Sequence, residues 1–414
     1  EAMRPIQMVD LKTQHSHLQP ELNNKILEVV ESAAYIKGAE VQKFERELEQ
    51  YLNVKHVIAC ANGTDALQLA MMSLGLKPGD EVITTNFTYV ATAEIIALLQ
   101  LKPVLVDVHP DTFNILIDEL EAAITAKTKA IVPVHLFGQC SQMEELLQFA
   151  KKHKLYVVED TAQAIGADYT FRDGRRAKAG TIGDIGTTSF FPSKNLGCMG
   201  DGGAIFTNND DLAKQLRIIA NHGQSKQYYH DFVGINSRLD SIQAAVLRIK
   251  LRHLEEYCHA RNEAANRYDQ LLAGVNEIIV PARVKNSTHV FHQYVLKTRG
   301  VNRDDLKNYL NECGIPCNIY YPVPLNEQLP YKDDSRKFAN TDYLCQSVLA
   351  LPMHTELGED QQAYIINKLK ECIGSIGGGR DDIAQAGFEF DGKINDLISN
   401  IQNIISEFIK KKEK

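Results

Sequence analysis

The chain predicts an α/β fold in which a large domain, built on a mostly parallel sheet covered by helices, is followed by a smaller C-terminal α+β domain. Three observations lead there. Short apolar runs alternate with helical stretches up to about residue 250, an alternation that builds parallel sheets with helices on their faces. One run, residues 155–158, delivers Glu159 and Asp160 to its carboxyl end, the edge at which open α/β sheets hold ligands. After a long helical pattern over 240–272 the alternation gives way to a smaller unit that ends near residue 373.

The elements follow in order. An apolar strand runs into Asn62-Gly63-Thr64-Asp65 and then into an amphipathic helix. Strands are expected at 82–85, 104–106, 130–134, 157–159 and 204–206. The boundaries that result are 1–250 for the large domain and 251–373 for the small one, which carries the strand HVFHQYVLKT and the helix RDDLKNYLNECG. Residues 374–414 stand apart. Gly374 to Gly379 reads as a flexible linker, and the tail beyond it repeats Ile394, Ile401 and Phe408 every seven residues, with Leu397, Ile398, Ile404 and Ile405 widening the stripe. So broad an apolar face needs a partner helix or its own copies. An appended or designed assembly helix and a natural tail are both open.

Chemistry concentrates in three segments. In SFFPSKNLGCMGDGGAIFT, Lys194 is a lone amine among small, hydroxylic and aromatic residues. Taken out of water, such an amine loses its charge more readily and becomes a nucleophile for imine formation. A lysine in a glycine-rich loop is ordinarily a surface residue, and the other two segments change that reading. Asp160 stands where a carboxylate would hold a pyridinium nitrogen protonated, and Gln163 is near enough in sequence to reach the phenolic oxygen of the same ring. Alone, Asp160 reads more readily as an ordinary helix N-cap. Gly63 and Thr64 begin a helix, whose free N–H groups and positive dipole end suit a phosphate, and Ser189 adds a hydroxyl. A lysine, a carboxylate and a phosphate cradle are the needs of pyridoxal phosphate.

The ordered motifs NGTDAL, GDEVITTNFTYVATAEII, PVHLFGQ, VVEDTAQAIGA, SFFPSKNLG, GDGGAI, NSRLDSIQAA and YYPVPL make the chain resemble the DegT/StrS family of nucleotide-sugar aminotransferases over almost all of residues 5–373. The resemblance implies the fold-type I architecture of pyridoxal phosphate-dependent transferases. It implies that Lys194 holds the cofactor as an imine and moves the proton, that Asp160 pairs with the ring nitrogen, that Gln163 contacts the phenolic oxygen and that Tyr89 stacks on the ring. Gly63, Thr64 and Ser189 would bind the phosphate, with Asn236 reaching it from a second subunit, so a homodimer with a shared site is expected. Relatives that dehydrate sugars have His at the lysine position, so Lys194 points to transamination. The pyridoxamine 5'-phosphate form would appear in the half-reaction.

The lysine loop FPSKNLGCMGDGGA looks like that of relatives acting on 3-keto sugars. The substrates this implies are UDP-2-acetamido-3-keto-glucuronate or a dTDP-3-keto-6-deoxyhexose, aminated from L-glutamate for surface polysaccharide such as the O-antigen of lipopolysaccharide. Many relatives carry His where this chain has Tyr320 and Asn326. Tyr320, Tyr321 and His135 are weaker substrate candidates, His135 being equally open to a structural role. Two rivals remain: a silent cofactor-binding scaffold or regulator, and an engineered self-assembling fusion in which catalysis is incidental.

Composition excludes more than it selects. The 414 residues carry a net charge of −8, which gives no electrostatic reason to bind nucleic acid. No stretch reaches the roughly 18 uncharged apolar residues of a membrane span. Eight cysteines scattered without regular spacing fit reduced thiols in a cytoplasmic protein. His289 and His292, three apart on an expected strand, would face opposite ways, which argues against a shared metal.

Overall fold

The computed structural model describes residues 3–384. Its centre is a seven-stranded sheet made of β1 (His56–Cys60), β2 (Glu81–Thr85), β3 (Lys102–Val106), β4 (Thr128–Val132), β5 (Tyr156–Asp160), β6 (Ile185–Ser189) and β7 (Gly203–Thr207). The spatial order is β1-β7-β6-β5-β4-β2-β3. Neighbours from β6 through β3 pair parallel, while β7 runs against both β6 and β1. The carboxyl ends of six strands therefore share one edge.

Both faces of the sheet are apolar, as a buried parallel sheet requires. On one face Val57, Ile83, Ile131, Val157 and Phe206 pack with Phe44 and Leu48 of helix Ala39–Leu52 and with Leu146 of helix Met143–His153. On the other, Ile58, Val82, Val132, Val158 and Ile205 meet helices Gly63–Ser73, Ala91–Leu98 and Asp210–Ile219. The alternation of neighbours along each strand is the period of two expected of β structure.

A second, antiparallel sheet joins β8 (Ile278–Ile279), β9 (Tyr294–Thr298) and β10 (Val348–Leu351), accompanied by helices Arg303–Glu312 and Ala339–Ser347. It belongs to the same compact unit as the large sheet, which runs through Leu369. Among the described residues no helix is long and apolar enough to cross a membrane.

Three local expectations change. The 240–272 helix divides into Ser241–Leu251 and Leu254–Leu271 at Arg252 and His253. Residues 289–293 are not strand, because their backbone is engaged elsewhere: Val290 N donates to the Gly138 carbonyl at 2.9 Å, and Phe291 takes φ +44°. Gly374 to Gly379 continues helix Glu359–Ala384 where a flexible linker was expected, since a glycine costs a helix only about 1 kcal/mol relative to alanine and does not forbid it. The seven-residue stripe from Ile394 to Phe408 lies outside the described residues.

Candidate active site

The shared strand edge gathers the chemistry. β1 leads through Asn62, whose Oδ1 accepts from Asp65 N at 2.8 Å and caps the helix that starts at Gly63. That cap satisfies the amide of Asp65, and the helix's own bonding begins with Ala66 N to the Asn62 carbonyl, so the amides of Gly63 and Thr64 in the first turn are left without a helical partner. Ser189 closes on them from β6. A Cβ on Gly63 would stand 2.7 Å from that of Ser189, and one on Gly203 only 2.4 Å from the Asn62 carbonyl carbon. Glycine is needed at both points for the three segments to meet. Ser189 Oγ already accepts from Phe191 N at 3.2 Å, which fixes it beside the helix start while its own proton stays available.

Asp160 ends β5, buried. Its Oδ2 accepts from Thr92 Oγ1 at 2.8 Å and its Oδ1 from Ala162 N at 3.1 Å. A carboxylate has about four acceptor positions, so capacity remains for a ring N–H. Thr92, the second residue of helix Ala91–Leu98, carries no chemical signal in the sequence, and its role emerges only from this contact.

Gln163 is held on both sides. Its Oε1 accepts from Phe137 N at 2.7 Å, and its Nε2 donates to the Tyr321 hydroxyl at 3.3 Å. The second amide hydrogen is left for a phenolate oxygen. Tyr321 packs edge-on against Phe87, with centroids 5.8 Å apart, and burial raises its pKa above the ordinary phenol value. Tyr89 is 60% exposed in the single chain, a free ring face at the same edge.

Lys194 is partly exposed as a residue, yet burial around its amine pushes the pKa down to about 8 against the opposing pull of the Asp160 carboxylate. At neutral pH about a tenth of such an amine is the free base, against about one part in three thousand for an ordinary lysine. The structure thus brings the expected lysine and aspartate into electrostatic contact from segments about thirty residues apart.

Other candidates are placed differently. His135 is fully buried, its Nε2 paired with Glu159 Oε1 at 2.9 Å and its Nδ1 accepting from Ser141 N at 3.0 Å. With both ring nitrogens engaged it is a structural residue and does not line the site. Tyr320 accepts from Asn318 Nδ2 at 3.0 Å. Asn326 is buried and exchanges two bonds with Asn86: Asn86 Nδ2 donates to its Oδ1 at 2.7 Å, and its N donates to Asn86 Oδ1 at 2.8 Å. Asn236 is exposed and bridged through backbone to Asn221. Sequence reasoning also passed over Glu159, whose four acceptor positions all receive donors; a buried glutamate beside an aspartate gives no hint of which of the two is free.

Residues 16–370 match the model of the DegT/DnrJ/EryC1/StrS aminotransferase family. The chain belongs to that family. It is a pyridoxal phosphate-dependent aminotransferase with the fold-type I architecture. It is similar to the UDP-2-acetamido-2-deoxy-3-oxo-D-glucuronate aminotransferase of Pseudomonas aeruginosa, 45% identical over 85% of this chain and 96% of that protein. A protein of Geobacillus stearothermophilus named a pleiotropic regulatory protein is also 45% identical, over 88% of this chain and 98% of its own. Among solved structures, S. venezuelae DesV in complex with a ketimine intermediate superposes with a TM-score of 0.84 at 36% identity, covering 89% of this chain and 98% of that one.

These residues fit the family's cofactor. Open amides at a helix start suit its phosphate, the half-filled Asp160 carboxylate suits its ring nitrogen, and the depressed lysine suits its aldehyde.

Proposed function

We propose that the chain moves an amino group from L-glutamate to the C3 keto group of a nucleotide-linked sugar, with UDP-2-acetamido-3-keto-glucuronate the first substrate to test and a dTDP-3-keto-6-deoxyhexose the second. The observation that carries the aminotransfer reading is the buried Lys194 amine, depressed to about 8 and coupled to Asp160. The choice of C3 is supported by the lysine loop FPSKNLGCMGDGGA and by the activity for which the Pseudomonas relative is named.

Bound pyridoxal phosphate supplies an electron sink and a carrier for the amino group. The chain's own residues do the rest. Gly63, Thr64 and Ser189 would bind its phosphate, Asp160 would hold a proton at the ring nitrogen, Gln163 would donate to the ring oxygen, and Tyr89 would lie against the ring. Lys194 Nζ serves as nucleophile and then as the base that carries a proton between donor carbon and acceptor carbon. Tyr321, bonded to Gln163, would be the sugar contact beside them.

Exposed Asn236 supports a homodimer in which a second copy completes the phosphate site, and Tyr228, Tyr229 and Val233, all exposed on the preceding loop, support that surface as the contact. A cytoplasmic setting and a place in surface polysaccharide synthesis fit free cysteines and a nucleotide-sugar substrate. The Geobacillus name favours a regulatory reading, but a silent scaffold has no need of the Lys194, Asp160 and Gln163 set.

The test is turnover of UDP- and dTDP-linked 3-keto sugars with glutamate, followed by 2-oxoglutarate release. Lys194→Ala should abolish the cofactor's visible imine band and lower turnover by at least about 10³-fold, with the fold intact by circular dichroism. Turnover near the parent rate would remove Lys194 from its role.

A further inference from the structure

One residue beside the site holds a backbone conformation that its own side chain disfavours. Phe137 is 1% exposed and takes φ +60°, ψ −3°, in the left-handed region that bulky residues rarely enter. Strain of this kind persists only where the surroundings enforce it, and it gathers at functional sites. The Phe137 N–H donates to Gln163 Oε1 at 2.7 Å. A backbone N–H can only donate, so the oxygen end of the amide must face Phe137, which turns the nitrogen end to the other side, where Tyr321 lies.

The turn that carries this strain is held from three sides. Buried Asn114 accepts from Leu136 N at 3.1 Å through Oδ1 and donates from Nδ2 to the Gln139 carbonyl at 3.0 Å, so one side chain clamps both flanks. The Phe137 ring packs edge-on against Phe113 and Phe87, with centroids 5.1 and 6.4 Å apart. Gly138 follows at φ +121°, and its carbonyl accepts from Val290 N at 2.9 Å. A Cβ on Gly138 would stand 2.8 Å from Phe291 N. The Val290 carbonyl in turn accepts from Nδ2 of Asn195, the residue after Lys194, at 2.9 Å, which places the lysine loop and Gln163 against the same turn.

We propose that Phe137 is a positioning residue whose left-handed backbone aims its N–H at Gln163 Oε1 and so commits Gln163 Nε2 to donate to the cofactor's ring oxygen. Without that N–H the amide is free to turn over, and its oxygen would then meet a ring oxygen that carries negative charge. With the flanks clamped by Asn114, returning Phe137 to a negative φ must rotate its peptide away from Gln163. The strain and the orientation of the amide are therefore one feature. The inference rests on Gln163 facing the cofactor, as proposed above.

Two measurements test it, and neither reads turnover. In the apoenzyme, hydrogen exchange at the Phe137 amide should be slow in the parent and in Gln163→Glu, which keeps an acceptor, and at least about tenfold faster in Gln163→Ala. In the loaded enzyme the readout is the pH midpoint of the visible imine band. A hydrogen bond donated to the charged ring oxygen stabilises it, so losing that bond should move the midpoint up by about one pH unit. Phe137→Leu and Phe137→Ile remove the same ring and leave side chains of similar volume, but β-branching penalises the left-handed backbone further. The Ile variant should show the upward shift and the Leu variant a midpoint near that of the parent, with circular dichroism verifying that both are folded. Equal exchange in the parent and Gln163→Ala, or equal midpoints in folded Leu and Ile variants, would overturn the proposal. Should neither variant fold, the exchange measurement decides alone. A parent that shows no imine band with pyridoxal phosphate defeats the functional reading instead, and the exchange result is independent of it.

Discussion

Glu159 and Asp160 are adjacent buried carboxylates on β5, and the two faces of the sheet use them in opposite ways. On the Glu159 face every acceptor position is taken: His135 Nε2 at 2.9 Å and Gly180 N at 3.0 Å on Oε1, Ile182 N and Gly183 N, both at 2.7 Å, on Oε2. On the Asp160 face two donors, Thr92 and Ala162, occupy about half the capacity. A filled carboxylate fastens the loop at 180–183 to the sheet. A half-filled one can still receive a proton-bearing nitrogen. Neither residue type nor burial separates them; the number of protein donors does.

The largest effect that can break this comparison comes from Asp160→Asn. The amide still occupies the space but no longer stabilises positive charge at the ring nitrogen, so kcat should fall about 10²–10³-fold while cofactor binding through Gly63, Thr64 and Ser189 persists. Steady-state kinetics and the visible spectrum check both halves. Activity within a few-fold of the parent would show that another group supports the ring.

Glu159→Gln should do the reverse. Its amide nitrogen would face N–H groups, leaving two buried donors without acceptors, so the fold should lose on the order of 2–4 kcal/mol, read from the urea midpoint. Catalysis per folded molecule should change less than in Asp160→Asn. Equal stability of variant and parent would mean that the four bonds do not fasten the loop.

The contrast also explains what the sequence disclosed. Asp160, Gly63, Thr64 and Lys194 were legible because each sits at a junction with a local signal: an apolar run ending in acids, a capped helix start, a lysine among glycines and hydroxyls. The donors that distinguish Glu159 from Asp160 come from residues 92, 135, 162, 180, 182 and 183, and no local pattern encodes those meetings. The strand expected over residues 289–293 failed for a related reason. That segment has the composition of a strand, and its backbone bonds to Gly138 and to the Arg261 side chain, made across the fold, override that propensity. Asn326 likewise carries no local sign of its exchange with Asn86.

That exchange gives a smaller prediction on the loop opposite the carboxylates. Asn326→Ala strips Asn86, which is fully buried, of an acceptor for its Nδ2. The expected cost is about 1–3 kcal/mol in stability, with KM for the sugar rising more than kcat falls, because the disturbed loop carries Tyr320 and Tyr321 and leaves Lys194 alone. A fall in kcat at unchanged KM would place Asn326 nearer the reacting atoms.

The smallest effect sharpens the comparison most directly, through the protonation of Lys194 in the apoenzyme. Burial lowers the folded-state pKa to about 8 and the Asp160 charge opposes it, so below about pH 8 the folded protein carries a poorly solvated ammonium, and this cost fades as pH rises from 8 towards the ordinary lysine value of 10.5. Capture of pyridoxal phosphate needs the free amine. Its rate should therefore rise about tenfold between pH 7 and 9 and then flatten, whereas an unperturbed lysine would climb about a hundredfold over the same interval without levelling. Asp160→Asn removes the cause that raises the value and should move the profile to lower pH. Glu159→Gln, whose carboxylate is engaged on the other face, should leave it in place. Stopped-flow capture rates on the three apoenzymes decide the matter: a shift in Glu159→Gln as large as that in Asp160→Asn would mean that the amine feels both carboxylates alike and that the two faces are not electrostatically distinct.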